Sequence, residues 1–374
     1  MRLSLVISSL NAGGAERVMT TLANAWVARG WQVDLLTTHD AGRAPHYPLA
    51  PAVGLRSLDP RLPSPFRQVA TVRNLRAAIR DARPDAVISF LNYTNIMTLA
   101  ACRGLACPVI ISERLDPRVI DIGPAWSFLR RLTYPGAKLL VAQTGTAAEL
   151  YGPLTGGRVR VIPNPVHAPA QRAADPVSPV GADRRTILCV GRLQKQKGFD
   201  IALRAMALLG PACADWRLVI LGEGPERPNL ERLHADLGLG DRARLAGQVA
   251  DPWPWLRQAG IFLMSSRSEG FPNALTEAMA AGLPVISTDC PSGPADIITP
   301  GVDGLLVPTE DPAALAEALA RLIDSGDLRT RLAAAAPGVL ERYSLESVLA
   351  AWDRVLEECN GKSGEPRIHG GNCP

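Results

Sequence analysis

The sequence predicts two doubly wound α/β domains in tandem, each a parallel sheet covered by helices on both faces. Three observations lead there. Short, continuously apolar runs alternate with amphipathic helical stretches along the chain. The alternation stops at Pro163-Asn164-Pro165 and restarts at Thr186. At 374 residues the chain is also too long for one ordinary core. Apolar residues make up 47% and charged residues 20%, which excludes wholesale disorder; aromatics at 5% leave the core to Ala, Leu, Val and Ile.

In the first half, Leu3–Ser8 reads as a strand, and Gly14–Arg29 as a helix with Val18, Leu22, Ala25 and Trp26 on one face. Gln32–Thr37, Ala86–Phe90, Val109–Ser112, Leu139–Gln143 and Val159–Ile162 are further strands, with helical patterns between them. Residues 163–181 hold five prolines and no periodicity. In the second half, strands are expected at Thr186–Val190, Arg217–Leu221, Ile261–Met264, Val285–Thr288 and Leu305–Val307. Helices are expected at Asp200–Leu209, Arg227–Leu237, Pro272–Ala281, Pro312–Ile323, Leu328–Ala336 and Leu345–Cys359. This gives an N-terminal domain over 1–168, a linker over 169–181, a C-terminal domain over 182–340, a last helix over 341–358 and a tail over 359–374. Strand carboxyl ends of both sheets would face a shared cleft, where ligands bind in such sheets.

Seven cysteines form no C-x-x-C pair, which fits buried thiols in a reducing compartment. The first apolar run is too short for a signal-peptide core, and the stretch Ala86–Cys102 is too short to span a bilayer. A cytoplasmic protein, free or peripheral on a membrane, is expected. Residues 1–168 carry 19 Lys+Arg against 10 Asp+Glu, whereas 181–358 carry 18 against 24. Either two solvated surfaces differ by chance, or the N-terminal half meets something anionic. No feature points to nucleic acid. The five histidines are scattered and there is no Asp-x-Asp motif, so neither a metal site nor another cofactor is expected.

Four stretches carry candidate chemistry. Asn11-Ala-Gly-Gly-Ala-Glu16 joins the first strand to the first helix, and its glycines either pack closely or let backbone N–H groups approach an anion. Gly191-Arg-Leu-Gln-Lys-Gln-Lys197-Gly198 follows the first strand of the second half. It holds two of the chain's four lysines, and Arg192 with Lys197 is suited to clamping a pyrophosphate. Gly222-Glu-Gly-Pro225 and Ala246-Gly-Gln-Val-Ala250 lie at other strand ends. Ser265-Ser-Arg-Ser-Glu269-Gly-Phe-Pro-Asn-Ala-Leu-Thr-Glu277 places one acid in a turn and a second inside the following helix. Glu269 is either a helix cap or an acceptor for sugar hydroxyls; Glu277 is either a solvated acid or a ligand for ribose hydroxyls.

G-G-A-E-R near the start, G-R-L-x-x-x-K-G after the linker and S-x-x-E-G-F-P-N-x-x-x-E, in this order over residues 1–358, resemble the retaining glycosyltransferases of family 4, which have the GT-B fold. The resemblance implies a UDP-sugar donor held mainly by the C-terminal domain. Arg192 and Lys197 would take the diphosphate, Glu269 and the Gly270, Phe271, Pro272 and Asn273 segment the sugar, and Glu277 the ribose. Gly14 would approach the phosphates from the other domain, with Glu223 and Val249 at the donor pocket. Glu269, Arg192 and Lys197 would form the catalytic group, and the last helix would cross back to the N-terminal domain. GGAERVMTTLAN, ISFLNYTNI, VIISER and AWSFLRRLTYP further resemble bacterial N-acetylgalactosaminyltransferases that extend glycans on undecaprenyl diphosphate. This implies a lipid-diphosphate-linked acceptor near Glu113, Arg114, Arg130 and Arg131. The family often has a His shortly after I-S-E, whereas Arg114 follows Glu113 here. A GT-B epimerase, a phosphorylase or a transferase using a soluble acceptor are the alternatives. Finally, Ala125, Phe128, Leu129 and Leu132 repeat at helical spacing beside Arg130 and Arg131. Such a stripe either packs on the sheet or lies on an anionic membrane surface.

Overall fold

In the computed structural model, the described residues are 1–40, 42–64, 66–114, 116, 118, 121–166 and 184–361. The linker expected at 169–181, and the tail beyond Gly361, lie outside them. The first sheet contains β1 (Arg2–Ile7), β2 (Gln32–Thr37), β3 (Gly54–Ser57), β4 (Ala86–Phe90), β5 (Val109–Ser112), β6 (Leu139–Ala142) and β7 (Val159–Val161). The second contains β8 (Thr186–Val190), β9 (Arg217–Leu221), β10 (Ala243–Gly247), β11 (Ile261–Met264), β12 (Val285–Thr288) and β13 (Leu305–Val307). Between the strands of the first sheet run α1 (Gly14–Ala28), α2 (Phe66–Ala82), α3 (Asn92–Cys102), α4 (Gly123–Thr133) and α5 (Gly145–Thr155). Around the second lie α6 (Phe199–Leu208), α7 (Arg227–Asp236), α8 (Trp253–Gln258), α9 (Asn273–Ala280), α10 (Pro294–Ile297), α11 (Pro312–Asp324), α12 (Gly326–Ala335) and α13 (Val339–Arg342), and α14 (Leu345–Cys359) follows.

Strand order is β3-β2-β1-β4-β5-β6-β7 in one sheet and β10-β9-β8-β11-β12-β13 in the other, with every pairing parallel. This is the two-domain α/β architecture the alternation predicts. The inner strands are predominantly apolar because both faces are covered, with buried serines such as Ser4 and Ser89 as exceptions. Along β1, Leu3, Leu5 and Ile7 enter the core shared with α1, while Val6 points to the opposite face with Leu75 and Ile79 of α2. In β8, Ile187 and Cys189 face one layer and Leu188 the other.

Two strands are absent from the sequence reading. Gly54–Ser57 is an edge strand of Gly, Leu, Arg and Ser, exposed at every position, so only its backbone pairing with β2 marks it. Ala243–Gly247 is likewise an edge strand, with a register shift at Gly247. Neither carries the buried apolar run that identifies an inner strand.

α14 packs on the first sheet, away from the helices that precede it in sequence. Val348, Leu349, Trp352, Val355 and Leu356 join the core of Leu3, Leu5 and Trp26. The Trp352 ring meets Trp26 edge-on at 6.2 Å and lies over Phe90 at 6.2 Å. Arg29–Asp353 at 2.8 Å and Arg160–Glu358 at 2.6 Å border the contact, but as exposed pairs they contribute little beside the apolar burial. Trp352 is 1% exposed. Trp352→Ala should therefore destabilise the protein by about 3–5 kcal/mol. Chemical denaturation measures this; a loss below about 1 kcal/mol would show that the helix is dispensable to the first core.

Candidate active site

In both sheets the strand order reverses beside the first strand, between β1 and β4 and between β8 and β11. Loops leaving neighbouring strands in opposite directions open a crevice there, at the strands' carboxyl ends. The motif 191–198 follows β8 and the motif 265–277 follows β11, so the chain delivers both to one crevice. Asn11–Glu16 follows β1, at the equivalent point of the other sheet.

Close backbone approach holds the C-terminal half of the site together. Gly198 has φ +61°, and a Cβ there would collide with the Ser265 carbonyl, so the two motifs abut only because the residue is glycine. The Lys197 ammonium donates to both Glu269 oxygens, at 2.7 and 2.9 Å, and Ser266 Oγ donates to Glu269 Oε1 at 2.5 Å. Glu269 is 6% exposed. A carboxylate so buried requires this pairing. Arg192 is exposed and has no side-chain partner among the described residues. It lies near Glu16 of α1, whose carboxyl is pushed up by burial, with the Arg192 charge opposing that rise.

Glu277 lies inside α9 and is also 6% exposed. Its partner comes from the other domain: the Arg17 guanidinium, in the first turn of α1, forms an ion pair with it. Burial raises the Glu277 pKa above the ordinary carboxylate value, against the opposing charge and hydrogen bond of Arg17. Asn273, at the start of α9, accepts from Asn164 Nδ2 at 2.8 Å. A Cβ on Gly14 would stand 2.9 Å from Asn273 Nδ2, so the Gly14 turn faces the start of α9 directly. Pro272 caps the helix, which begins one residue later than expected. Phe271 is buried edge-on against Tyr343 at 5.4 Å.

The remaining candidates have other neighbours. Glu223 lies at the end of β9 and is held by Arg227 Nε at 2.8 Å and Nη2 at 2.5 Å, which lowers its pKa. Arg227 also donates to Glu231 at 2.9 Å. Val249 is half-buried beyond β10, against the core that contains Trp253 and Phe271.

Glu113 and Arg114 lie deep, directly after β5. Glu113 is 3% exposed and accepts from the Tyr134 hydroxyl, from Asn95 Nδ2 at 3.1 Å and from the Tyr151 hydroxyl at 3.3 Å. Burial raises its pKa despite these donors. Arg114 lies 3.6 Å over the Phe90 ring and donates to Asn164 Oδ1 at 2.6 Å. Burial pulls its pKa down to about 9. A Cβ at Gly270 would collide with the Arg114 carbonyl, so this loop is part of the domain contact. Arg130 is half-buried with Nε unpartnered, and Arg131 is exposed. The structure thus gathers Gly14, Arg192, Lys197, Glu269, Gly270, Asn273 and Glu277 around one cleft, and Glu113 beneath it.

Three contributors escaped the sequence reading. Arg17 was legible only as part of G-G-A-E-R, although standing i+3 from Gly14 puts it on the same face of α1. Asn164, between two prolines, links Arg114 to Asn273. Asp116 accepts from Ser292 Oγ of the other domain at 2.9 Å. Among the described residues, no group of three or more His, Cys, Asp or Glu is placed to hold a metal ion, and no helix is long and apolar enough to cross a membrane.

Comparison with known proteins gives the same two halves. The family described as "Glycosyl transferase 4-like domain" matches residues 13–165, and that described as "Glycosyl transferases group 1" matches residues 184–325. The GalNAc-α-(1→4)-GalNAc-α-(1→3)-diNAcBac-PP-undecaprenol α-1,4-N-acetyl-D-galactosaminyltransferase of Campylobacter jejuni is 30% identical, over 96% of this chain and 99% of its own. Sucrose-phosphate synthase from Thermosynechococcus elongatus has a similar structure, with a TM-score of 0.84 at 20% identity over 97% of this chain and 100% of its own. HepE of Anabaena, solved in complex with UDP, has a TM-score of 0.77 at 18% identity over 96% of this chain and 100% of its own. With the parallel sheets, the facing crevices and this full-length relationship, the chain belongs to the family 4 glycosyltransferases of the GT-B fold.

Proposed function

We propose that the protein is a retaining glycosyltransferase that moves a hexose or N-acetylhexosamine from a UDP-sugar to a lipid-diphosphate-linked glycan during cell-surface glycan or polysaccharide assembly. The observation that carries this is the meeting of Lys197, Arg192, Glu269 and Glu277 at the β8/β11 reversal, opposite Gly14. The named substrate of the Campylobacter relative supports the acceptor class, and the UDP bound to HepE supports the nucleotide. Arg192 and Lys197 take the diphosphate, Glu269 and the Gly270–Asn273 segment the donor sugar, and Glu277 the ribose. The donor diphosphate then assists the incoming hydroxyl on the face it is leaving, which retains the anomeric configuration. The two cations stabilise the charge that develops on the leaving group, a contribution of several kcal/mol, with no metal required. Mass spectrometry over a panel of UDP- and GDP-sugars with a short lipid diphosphate acceptor, and NMR of the product anomer, test the whole reading. Sugar transfer only from GDP donors, inversion, or conversion of the UDP-sugar without an acceptor would overturn it.

The clamp makes a first quantitative prediction. Arg192→Ala and Lys197→Ala should each weaken UDP binding by about 10–150-fold, the loss of one charge-assisted contact. Lys197→Ala also leaves Glu269 buried without its cation, so it should lower the melting temperature as well. Unchanged UDP affinity by calorimetry in both variants would remove the clamp.

The two acids should separate. Glu277→Ala lowers affinity for UDP, whereas Glu269→Ala leaves UDP binding nearly intact and reduces turnover. Equal effects of the two substitutions on UDP binding would dissolve this division of roles.

We further propose that the N-terminal domain docks on the cytoplasmic face of an anionic membrane. In support, Ala125, Phe128, Leu129 and Leu132 of α4 are all exposed and do not pack on the sheet. Phe128 and Leu132 are 66% and 62% exposed, and Phe66 and Val69 of α2 are 68% and 64% exposed. Arginines lie on both helices, and each near an anionic surface adds about 1 kcal/mol. Phosphatidylglycerol vesicles should float the protein at low salt and release it at high salt. Failure to float at low salt contradicts the docking while leaving the transfer reaction untouched.

A further inference from the structure

The turn that carries Lys197 depends on its neighbours for its shape. Lys195–Lys197 is a single turn of 3-10 helix with no side chain capping its start, an element whose own hydrogen bonds are poorly aligned. The turn after β11 grips it residue by residue. Ser265 Oγ donates to the Lys197 carbonyl at 3.1 Å. The Arg267 backbone N–H donates to the Gln196 carbonyl at 2.7 Å, and Gln196 Nε2 donates back to the Ser268 carbonyl at 2.8 Å. The Lys195 carbonyl accepts from the Arg267 side chain, at 2.7 Å from Nη1.

The Arg267 guanidinium extends this grip to two further segments. Nη1 and Nη2 each donate to one oxygen of Asp200, in the first turn of α6, both at 2.8 Å. Such a bidentate pair fixes orientation as well as distance. Nε donates to Glu310, and Nη2 reaches the other oxygen of that carboxylate at 3.1 Å. Glu310 follows β13 and has φ +60°, a left-handed conformation that a non-glycine residue keeps only where its surroundings hold it. A guanidinium has five N–H donors, and here each has an acceptor, so the fork has none left for a donor phosphate. The loops leaving β8, β11 and β13 are thus tied together by one side chain, which is 21% exposed.

We infer that Arg267 is a positioning residue for the Lys197 clamp: it fixes the turn from which the Lys197 ammonium reaches Glu269 and the donor diphosphate, and does not itself touch the donor. The inference rests on the reading of Lys197 as a diphosphate ligand given above. Lysine has a long, flexible side chain, so the place of its ammonium is only as definite as the backbone beneath it. A displacement of about 1 Å, caused by a substitution away from the reacting atoms, can cost about 100-fold. Lysine at position 267 would keep the charge but lose the planar fork, so it could not span all three partners at once.

The test is a double-mutant cycle on the full chain, with UDP affinity measured by calorimetry and uridine affinity by ligand-observed NMR. Uridine lacks the diphosphate and so reports the rest of the nucleotide site. Arg267→Ala should weaken UDP binding at least about tenfold, by no more than Lys197→Ala does, and leave uridine binding unchanged. Arg267→Lys should give a smaller loss in the same direction. Added to Lys197→Ala, either substitution should cost no further UDP affinity, because Arg267 acts through Lys197. If Arg267→Ala does not fold, the cycle with Arg267→Lys decides. Additive losses, or a loss larger than that of Lys197→Ala, would overturn the inference by making Arg267 a donor contact in its own right. Equal losses for UDP and uridine would overturn it as well, leaving Arg267 with a general role in the domain. UDP affinity that falls in Lys197→Ala but not in either Arg267 variant would overturn the positioning role and spare the clamp. UDP affinity unchanged in all three single variants would remove the clamp and the positioning role together.

Discussion

Two nearly inaccessible carboxylates, Glu269 and Glu277, govern the cleft, and the rest of the site depends on how their charge is balanced. Burial at this depth has to be offset by a cation at contact distance. Lys197 supplies one from the same domain and Arg17 the other from the opposite domain. The second pair joins the halves of the molecule at the point where both strand orders reverse, so the partner that offsets the burial of Glu277 also sets the domains against each other. The same cations are of the kind that bind phosphate oxygens. A nucleotide diphosphate entering this cleft would compete with carboxylates for them and would thereby couple its binding to the contact between the domains.

A chain of hydrogen bonds supports that contact. Arg114, buried over Phe90, holds Asn164, which reaches Asn273 at the head of α9. Asp116 meets Ser292 in the same layer. Gly270 allows the Arg114 carbonyl to come close to the loop that precedes α9. Glu113, enclosed by Tyr134, Tyr151 and Asn95, fixes the strand end from which this layer departs. α14 ties the chain's end to the first core through Trp352, so the C-terminal segment contributes to the domain furthest from it in sequence.

Much of this was legible in the sequence, for identifiable reasons. Inner strands announce themselves because burial on two faces demands mostly apolar residues, as in Ile261–Met264 and, with Ser89 as its one polar member, Ala86–Phe90. Gly54–Ser57 does not, because an exposed edge strand needs only backbone partners. Lys197 and Arg192 stood out as cations clustered at a strand end in a chain with few lysines. Their grouping with Glu269 was implied by the family resemblance, but the Arg17–Glu277 pair was not, because no local spacing reports which residues meet across two domains. The stripe on α4 was visible as a period, whereas its orientation was not: a core-facing helix has the same spacing, and the exposure of Phe128 and Leu132 shows that this one does not face the core.

The most direct test of this account is amide hydrogen exchange of the full chain with and without UDP. If the nucleotide takes over the cations of the cleft, exchange slows in the turn 191–198 and the segment 265–277, and changes with them in the 11–17 turn that carries Arg17. Protection confined to other regions, or no change in these three segments at saturating UDP, would contradict the assignment of the cleft as the donor site.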